Sequence, residues 1–598
     1  MEENKPRTAF QRFVSDVYFN TEISHYISHI VISIILGIVA GVCAVFFHYL
    51  LARMVYFFSP GNFSRIFNLH TYYIIFVPVA GGVIIATMTR YFRSISKERG
   101  VLSVIKSLIL NNGYIPIKTT LFHFLAPVIS IGTGAPLGPE GPAAKLGSGI
   151  GSFMSQMFRL NKREMKMYTA AGAGAAISAI FNAPIAGVFF GIEVVLLNDL
   201  KNQALSALIL SAVVADVISR AVLGNVHLIT IPHYHLEIFN ESPAFLLLGV
   251  VCGIVSLLYF GFKKSTHVLL TEKLKIRNEY FLLLPVSLVF GIILIWYYQL
   301  FGLGYGMVND VINLRITSVH TILVLLVMKI IFVALFINAG SYGGTFAPSI
   351  GIGVLLGHLF AAVMNYTFSM NLNPITYSLV GMGGMLAGMN SIPLTAIMLV
   401  FEITGDYKFI LPLMVVSILS YLVTIYYNKG TIYSNELLEA GIDVTKRGEI
   451  DLLGKINVSE LMNKNFDKVN YRMPFKKLLD VLLNSAYGDA VVVNDNDELM
   501  GIVSFKDVRQ AIMSHELVDL LITGDIASPV PTVLETEKVS DAMQKIEKFD
   551  LDIIPVVRSV DHRKIAGLLS HQDIIQAYNK QLEEWETDQF IVDYYSKK

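Results

Sequence analysis

A single acidic residue, Glu140, lies in the segment GTGAPLGPEGPAAKLG, whose other residues are almost all glycine, proline or apolar. Glycine and proline interrupt helices, and an interrupted backbone inside hydrocarbon is tolerated only where it lines a cavity or a ligand. Proline in a first turn favours a helix that begins there. Such a helix directs free N–H groups and about half a positive charge at whatever faces it. The segment therefore predicts an anion site.

The carboxylate of Glu140 is itself an anion that can occupy this site. A charge at membrane depth costs about 3 kcal/mol or more, so it needs the compensation that helix N-termini provide. The carboxylate would then compete with a permeating anion, and its protonation would remove the competition. The alternative is an ordinary glutamate in the first turn of a helix at the membrane interface.

The same plan appears twice in the chain. GAGAAISAIFNAPIAGVFFGIEV (172–194) aligns without a gap with GMGGMLAGMNSIPLTAIMLVFEI (381–403). A second broken segment, GGTFAPSIGIG, matches the first through the pairs Gly138/Gly344, Pro142/Pro348, Gly147/Gly353 and Gly151/Gly357. In transporters, broken segments at matching places in two halves indicate the binding site. Two helix N-termini that converge there would hold an anion without a full cation, which suits an ion that must bind and then leave.

The composition is that of a membrane protein. Of 598 residues 54% are hydrophobic and 15% charged, well below the roughly 25% charged residues of soluble domains. Apolar runs recur at about the 20 residues that span hydrocarbon: Ile30 to Phe47, Tyr72 to Met88, Ala244 to Phe262, Phe281 to Phe301 and Ile330 to Leu356. We predict an all-α polytopic protein whose partner is the lipid bilayer. The net charge of zero gives no argument for nucleic acid.

The chain changes character near residue 442, where charged residues become frequent. We predict five parts: an N-terminal segment 1–24, a membrane domain 25–441, two similar α/β units at 456–512 and 522–578, and a tail 579–598. Each unit has a strand, a polar turn, a strand and a Ser-x-x-Asp helix start, at Ser504/Asp507 and Ser570/Asp573.

These units resemble a tandem pair of CBS modules. In that family the aspartate after the strand can hold a ribose hydroxyl of an adenine nucleotide, which would assign this role to Asp507 and Asp573. The alternative is that each Ser-x-x-Asp is a capping box in a purely structural pair.

The membrane part resembles the CLC family of chloride channels and chloride/proton exchangers. The resemblance rests on GPEGP, AGSYGGTFAP, FNAPIAGVFFGIEV and IPLTAIMLVFEITGDYKFILP, in this order, and covers about residues 25–440. It implies an inverted repeat, chloride as the transported ion, no required cofactor, and a homodimer with one pore per subunit. The location would be the plasma or inner membrane, with the N-terminus and the CBS pair in the cytoplasm.

The resemblance also implies roles for single residues. Glu140 matches the gating glutamate, the backbone amides of Thr345 and Phe346 match anion ligands, and Tyr433 matches a tyrosine whose hydroxyl donates to the central anion. The full set of anion-binding residues is Gly138, Gly141, Gly344, Thr345, Phe346, Tyr433 and Arg99.

Three positions depart from the family pattern. Arg99, in ERGVL, stands where the family has an anion-binding serine; it either attracts anions in an inner vestibule or marks a cytoplasmic loop. Pro139 replaces a basic residue. Val194 replaces the internal proton glutamate of the exchangers, and the adjacent Glu193 has a repeat mate, Glu402, which suggests a structural role. We therefore predict a passive channel; the alternative is an antiporter that moves protons through Glu193 or water.

Other classes of protein fit less well. A cation transporter would need clustered oxygen ligands, whereas Glu140, Asp216, Glu193 and Glu402 are scattered. A membrane enzyme would need a catalytic motif, and neither HExxH nor GxSxG occurs. The segment HYHLE (233–237) is either a metal site or a solvated loop.

Overall fold

The computed structural model describes residues 22–59, 71–96, 99–198, 202–224, 232, 238–273, 278–439, 453–485, 488–504, 507–508, 520–549, 551–558 and 564–577. The chain divides into two compact units, Met1–Ile442 and Asp443–Lys598. The predicted N-terminal segment, up to residue 21, and the predicted tail 579–598 lie outside the described residues.

The first unit is helical throughout its described part. Its helices are α1 (Glu22–Phe58), α2 (Phe76–Tyr91), α3 (Arg93–Ser96), α4 (Gly100–Leu110), α5 (Ile117–Gly132), α6 (Glu140–Met157), α7 (Lys162–Phe181), α8 (Pro184–Phe190), α9 (Asn202–Leu223), α10 (Ile238–Val268), α11 (Glu279–Ile293), α12 (Tyr305–Ile312), α13 (Val319–Asn338), α14 (Phe346–Phe368), α15 (Pro374–Asn390), α16 (Pro393–Thr404), α17 (Ile410–Asn428) and α18 (Ile432–Glu439). Short 3-10 or π segments are Thr71–Ile75, Gly191–Val195, Leu269–Lys273, Tyr298–Leu300 and Tyr407–Phe409.

Seven helical segments of the described chain are long and apolar enough to cross a membrane: Ile27–Phe58, Tyr72–Tyr91, Ala204–Leu223, Glu241–Val268, Val319–Asn338, Phe346–Phe368 and Tyr407–Glu439. The predicted all-α polytopic architecture is confirmed. The apolar run Ile330 to Leu356, however, is not one span. It is divided between α13 and α14, because the glycine-rich stretch between them turns the chain at Gly340, whose φ of 91° favours glycine.

The internal repeat appears in the packing of the helices. A Cβ atom added to Gly147 in α6 would overlap the carbonyl oxygen of Gly172 in α7, and one added to Gly353 in α14 would overlap that of Gly381 in α15. The same contact recurs one turn later, for the pairs Gly151/Tyr168 and Gly357/Tyr377. Small residues let backbones approach this closely in membrane helix pairs. The two halves of the unit thus repeat one helix pair.

The turns after these pairs repeat as well. Asn182 and Ser391 follow α7 and α15 in left-handed conformations, with φ of 51° and 56°. Two residues later Pro184 and Pro393 begin α8 and α16. Proline fits this first helical position because it lacks the N–H that would be unpaired there.

The second unit contains two sheets of the same topology. They are formed by β1 (Lys468–Asn470), β2 (Asp489–Val493), β3 (Leu499–Ser504), and by β4 (Val533–Leu534), β5 (Ile553–Val557), β6 (Ile565–Ser570). In each, a parallel pair is followed by an antiparallel pair. The helices of this unit are α19 (Val458–Leu461), α20 (Phe475–Asn484), α21 (Thr523–Ile526) and α22 (Val539–Phe549), with a 3-10 turn at Leu453–Lys455.

The two modules of this unit exchange their first segments. Asn463, near the start of the first module, pairs with Leu568 in β6 of the second, while Ser528 in the second pairs with Ile502 in β3 of the first. Apolar residues of β2, β3, β5 and β6 share one buried cluster: Val491, Val493, Ile502, Ile553 and Leu568. Because each sheet is completed by the other module, we infer that the pair folds as one body.

Candidate anion site

The two broken segments meet at Gly138 and Gly344. The N–H of Gly138 donates to the carbonyl oxygen of Gly344 over 3.0 Å, and the N–H of Gly344 donates back over 2.7 Å. This isolated antiparallel bridge lies two residues before Glu140 and Phe346, the first residues of α6 and α14. The bridge therefore brings the N-termini of two helices from opposite halves of the unit to one place.

A third helix begins at the same place. A Cβ atom added to Gly141 in α6 would lie 3.6 Å from the Cα atom of Gly344 and 3.7 Å from that of Gly100, the first residue of α4. None of α4, α6 and α14 has a side chain from its N-cap residue bonded to its first amides. Three positive helix ends therefore surround a small volume walled by glycine, which favours an anion.

The carboxylate of Glu140 occupies this volume. The residue is 1% exposed, and its Oε1 accepts a hydrogen bond from the N–H of Phe346 in the other half. Its Oε2 is buried and makes no hydrogen bond within the described part of the chain. A Cβ atom on Gly138 or Gly344 would collide with the carboxylate. The carboxylate thus stands where a bound anion would accept the same N–H group.

Thr345 is held by a residue that the sequence analysis did not single out. Its hydroxyl donates to Oδ1 of Asn390, which is 1% exposed and ends α15. Nδ2 of Asn390 donates to Oγ of Ser349 over 3.1 Å and to the carbonyl of Leu386 over 3.2 Å. Asn390 therefore fixes the turn that presents the Phe346 amide. The only signal in the sequence is an amide side chain within an apolar helix.

The side chain of Arg99 packs against the chain just before the second broken segment. Its guanidinium lies 4.6 Å from the ring centroid of Tyr342, and its Nε donates to the carbonyl of Ser96 over 3.4 Å. The hydroxyl of Tyr342 donates to the same carbonyl over 3.0 Å. The side chain lies against Gly340, at the turn before Thr345. The arginine found in place of the expected serine thus joins the start of α4 to the chain that enters α14.

Tyr433 lies in α18, close enough for its phenol to interact electrostatically with the carboxylates of Glu140 and Glu193. The N–H of Ile432 donates to Oγ of Ser391 over 3.2 Å. Lys263 in α10 forms an ion pair of 2.9 Å with Glu436, one turn after Tyr433. These contacts place the start of α18 beside the anion site.

Val194 is fully buried within the π-helical segment Gly191–Val195. The neighbouring Glu193 is bound to the first turn of α16. Its Oε1 accepts from the N–H of Leu394 over 3.2 Å, and its Oε2 accepts from the N–H and the hydroxyl of Thr395 over 2.9 and 2.8 Å. The carboxylate of Glu193 is therefore engaged with the N-terminus of a helix from the other half.

Glu402 makes the reciprocal contact. Its two oxygens accept from the N–H groups of Ile185 and Ala186, over 3.0 and 2.8 Å, at the start of α8. The first turn of α16 is thus bound by Glu193, which follows α8, and the first turn of α8 is bound by Glu402 of α16. This exchange satisfies four backbone N–H groups that a helix start leaves unpaired.

Lys145 is a buried cation that the sequence analysis did not single out. It lies in α6 five residues after Glu140, is 2% exposed, and its Nζ donates to Oγ of Ser103 in α4 over 2.7 Å. Because burial of an ammonium is as costly as burial of a carboxylate, its position in the quoted glycine-rich segment was the available signal. It supplies a positive charge between two of the converging helices, near the position where Pro139 lacks one.

In the second unit both predicted aspartates lie in capping boxes. Oδ2 of Asp507 accepts from the N–H and the hydroxyl of Ser504, each over 2.8 Å. Oδ2 of Asp573 accepts from the same groups of Ser570 over 3.3 and 2.6 Å. All four bonds use a single oxygen of each carboxylate.

No group of three or more His, Cys, Asp or Glu side chains within the described ranges could hold a metal ion. The segment 233–237, the metal candidate in the sequence, lies outside the described residues.

The reciprocal contacts predict a structural effect of Glu193→Gln. The substitution replaces a carboxylate oxygen by an NH2 group opposite N–H donors, so we expect α16 to be destabilised by about 1–3 kcal/mol. Thermal unfolding of the purified protein in detergent measures this effect. Glu402→Gln should lower the midpoint to a similar extent, and the exposed Glu272→Gln should leave it unchanged. An unchanged midpoint in both buried variants would contradict the structural role.

Comparison with known proteins gives the family. The family model described as "Voltage gated chloride channel" matches residues 81–424, and the CBS domain model matches 458–514 and 523–580. The chain is 28% identical to chloride channel protein CLC-f of Arabidopsis thaliana, over 84% of this chain and 73% of the relative. It is 30% identical to the H(+)/Cl(−) exchange transporter ClcA of Vibrio campbellii, over 56% of this chain and 72% of the relative.

The fold is shared with solved structures. The crystal structure of a slow cyanobacterial Cl−/H+ antiporter superposes on this chain with a TM-score of 0.62 at 22% sequence identity. The superposition covers 70% of this chain and 99% of the antiporter. This family consists of transporters and channels rather than enzymes. The predicted resemblance is therefore confirmed: the chain is a multi-pass membrane protein of the voltage-gated chloride channel (CLC) family with a tandem CBS pair at its C-terminal end.

Proposed function

We propose that this protein is a chloride channel of the CLC type, in which anions permeate passively and Glu140 is the gate. The observation that carries the proposal is the position of the Glu140 carboxylate. It accepts the Phe346 N–H where the N-termini of α4, α6 and α14 converge. A group that occupies an anion site by its own negative charge must leave before another anion enters.

Gating then follows from charge. While Glu140 is ionised, it is held by the N–H of Phe346 and by the positive ends of the converging helices. Protonation removes its charge, so the helix ends no longer favour it over chloride. Chloride would bind to the amides of Thr345 and Phe346, beside Gly138, Gly141 and Gly344, with the Tyr433 hydroxyl as a further donor. Because these ligands are dipoles rather than full cations, the ion can also leave.

Two features support a channel over an exchanger. An exchanger must bring protons to Glu140, yet Val194 has no titratable group and is buried. The carboxylate adjacent to Val194 in the sequence, that of Glu193, is already bound to three donors of α16. The second candidate, a chloride/proton antiporter, is favoured by the names of the Vibrio relative and the cyanobacterial structure. In that case Glu193 or a chain of water would carry the proton.

We further propose a homodimer with one pore per subunit in the plasma or inner membrane, with no required cofactor. Basic residues cluster in three stretches, Arg90–Arg99, Arg159–Lys166 and Lys263–Arg277. Such clusters favour the cytoplasmic side, which would also be the side of the N-terminus and of the CBS pair.

The CBS pair is proposed to bind an adenine nucleotide. Asp507 and Asp573 each direct Oδ2 into a capping box, which leaves the other oxygen to accept a ribose hydroxyl. The alternative is the purely structural pair that these same boxes would make.

Glu140→Gln should mimic the protonated gate. We expect wild-type flux to fall by up to about tenfold per pH unit once pH exceeds the pKa of the gate, as for any single titrating group. The variant should conduct at high pH with little dependence on pH. Chloride efflux from liposomes at several pH values measures both, with Glu272→Gln as the control. A variant that kept the wild-type slope would leave Glu140 as an ordinary glutamate of a helix start.

The reversal potential separates the channel from the exchanger. In a planar bilayer under a fixed chloride gradient, a channel reverses at the chloride equilibrium potential, about 59 mV per tenfold gradient. We expect this potential to stay constant when a pH gradient is added. A potential that moves with the pH step, together with chloride-driven uphill movement of protons, would establish exchange instead.

Nucleotide binding is tested by calorimetry of the full-length protein with ATP, ADP and AMP. We expect saturable binding that Asp573→Ala weakens by about tenfold to a hundredfold, because loss of one charge-assisted hydrogen bond costs about 1.5–3 kcal/mol. Ser570→Ala is the matched control, since it disrupts the same capping box but keeps the carboxylate. Equal weakening by both variants, or no heat at millimolar nucleotide, would favour the structural pair.

A further inference from the structure

Lys329, in the middle of α13, is buried without a partner. Its relative exposure is 0%, and its Nζ makes no hydrogen bond to any of the described residues. Buried charges in proteins are paired or coordinated, and a cation at membrane depth is costly unless it is compensated. In its charged form, the amine of Lys329 therefore requires an acceptor that the described chain does not supply.

The ammonium points at the start of another helix. A Cβ atom added to Gly304 would lie 2.6 Å from Nζ of Lys329. Gly304 is the N-cap of α12, in a left-handed conformation with φ of 76°, and no side chain caps the first amides of this helix. A helix N-terminus carries partial positive charge. Two positive features thus adjoin each other, and an anion beside them would stabilise both.

A hydroxyl donor begins the same helix. Tyr305 is the first residue of α12, and its hydroxyl is buried without a hydrogen-bond partner in the described part of the chain. Its phenol is also close enough to interact electrostatically with the carboxylate of Glu140. Tyr305 thus brings a second unpartnered donor to the start of α12.

The position is separate from the amide of Phe346. A Cβ atom added to Gly351 in α14 would lie 2.9 Å from Cε of Lys329. Gly351 is five residues after Phe346, which corresponds to about 7.5 Å along the helix. Glycine at 304 and 351 leaves the room that the lysine end group uses. An anion at this point would be a neighbour of the anion at the gate and would not replace it.

We propose that Nζ of Lys329, the first amides of α12 and the hydroxyl of Tyr305 form a second site for a halide, about one and a half turns of α14 from the gate. The identity of the ligand rests on the proposed function, since it is the permeating ion. The lysine makes this site different from the gate, where the carboxylate of Glu140 is bound by a backbone N–H. It would hold a halide close to the pathway whether or not Glu140 is ionised.

Bromide and anomalous diffraction test the proposal. Crystals of the Glu140→Gln variant grown in bromide should show two peaks, one at the amide of Phe346 and one within hydrogen-bond distance of Nζ of Lys329. In the double variant with Lys329→Met, a side chain of similar length without charge, the second peak should disappear and the first should remain. Lys329→Arg in the same background should keep both.

Each outcome bears on one proposal. A peak at Phe346 without one at Lys329, in protein that retains the lysine, overturns the second site. This measurement does not depend on whether the methionine variant folds. A second peak that survives Lys329→Met also overturns it. A peak at Lys329 without one at Phe346 overturns the proposed gate and supports the second site, and absence of both peaks overturns both.

Discussion

The structure depends on one backbone pairing, the two hydrogen bonds between Gly138 and Gly344. Neither glycine lies in a helix, and each belongs to a different half of the membrane unit. By pairing with each other they satisfy backbone groups that hydrocarbon would otherwise leave unpaired. The same pairing fixes the starts of α6 and α14 side by side. We infer an anion site from this arrangement, because two helix N-termini that meet in a membrane favour a negative charge between them.

The surrounding contacts maintain this arrangement from several directions. Arg99 stacks on Tyr342 and Asn390 holds Thr345, so both ends of the turn into α14 are fixed. Glu193 and Glu402 bind each other's helices across the repeat. Each of these contacts joins elements that are distant in sequence. Their common effect is a rigid set of amides, which is what selective binding by dipoles alone requires.

Much of this fold follows from local pattern, because glycine spacing and proline positions are properties of the sequence itself. The aligned halves predicted the repeated helix pairs, and Pro184 and Pro393 marked helix starts that the structure has. What the sequence cannot give is which groups face one another. Asn390 and Lys145 look like isolated polar residues, and their partners come from distant elements. Lys329 likewise looks isolated, and the glycine against which its end group packs, Gly304, also belongs to another element. The prediction that Ile330 to Leu356 forms a single span was wrong, because mean hydropathy does not detect a turn formed by glycine residues.

Buried charge connects the gate to the ion. Besides Glu140, α6 carries Lys145 and α13 carries Lys329, both almost completely buried. When Glu140 is ionised, its charge offsets part of the positive charge of the helix ends. When it is protonated, the same region gains net positive charge while its geometry still presents free amides. Entry of an anion then restores the balance. In the gate that we propose, protonation of Glu140 therefore has two effects. It removes the competing carboxylate charge, and it makes the local electrostatic potential more favourable for chloride.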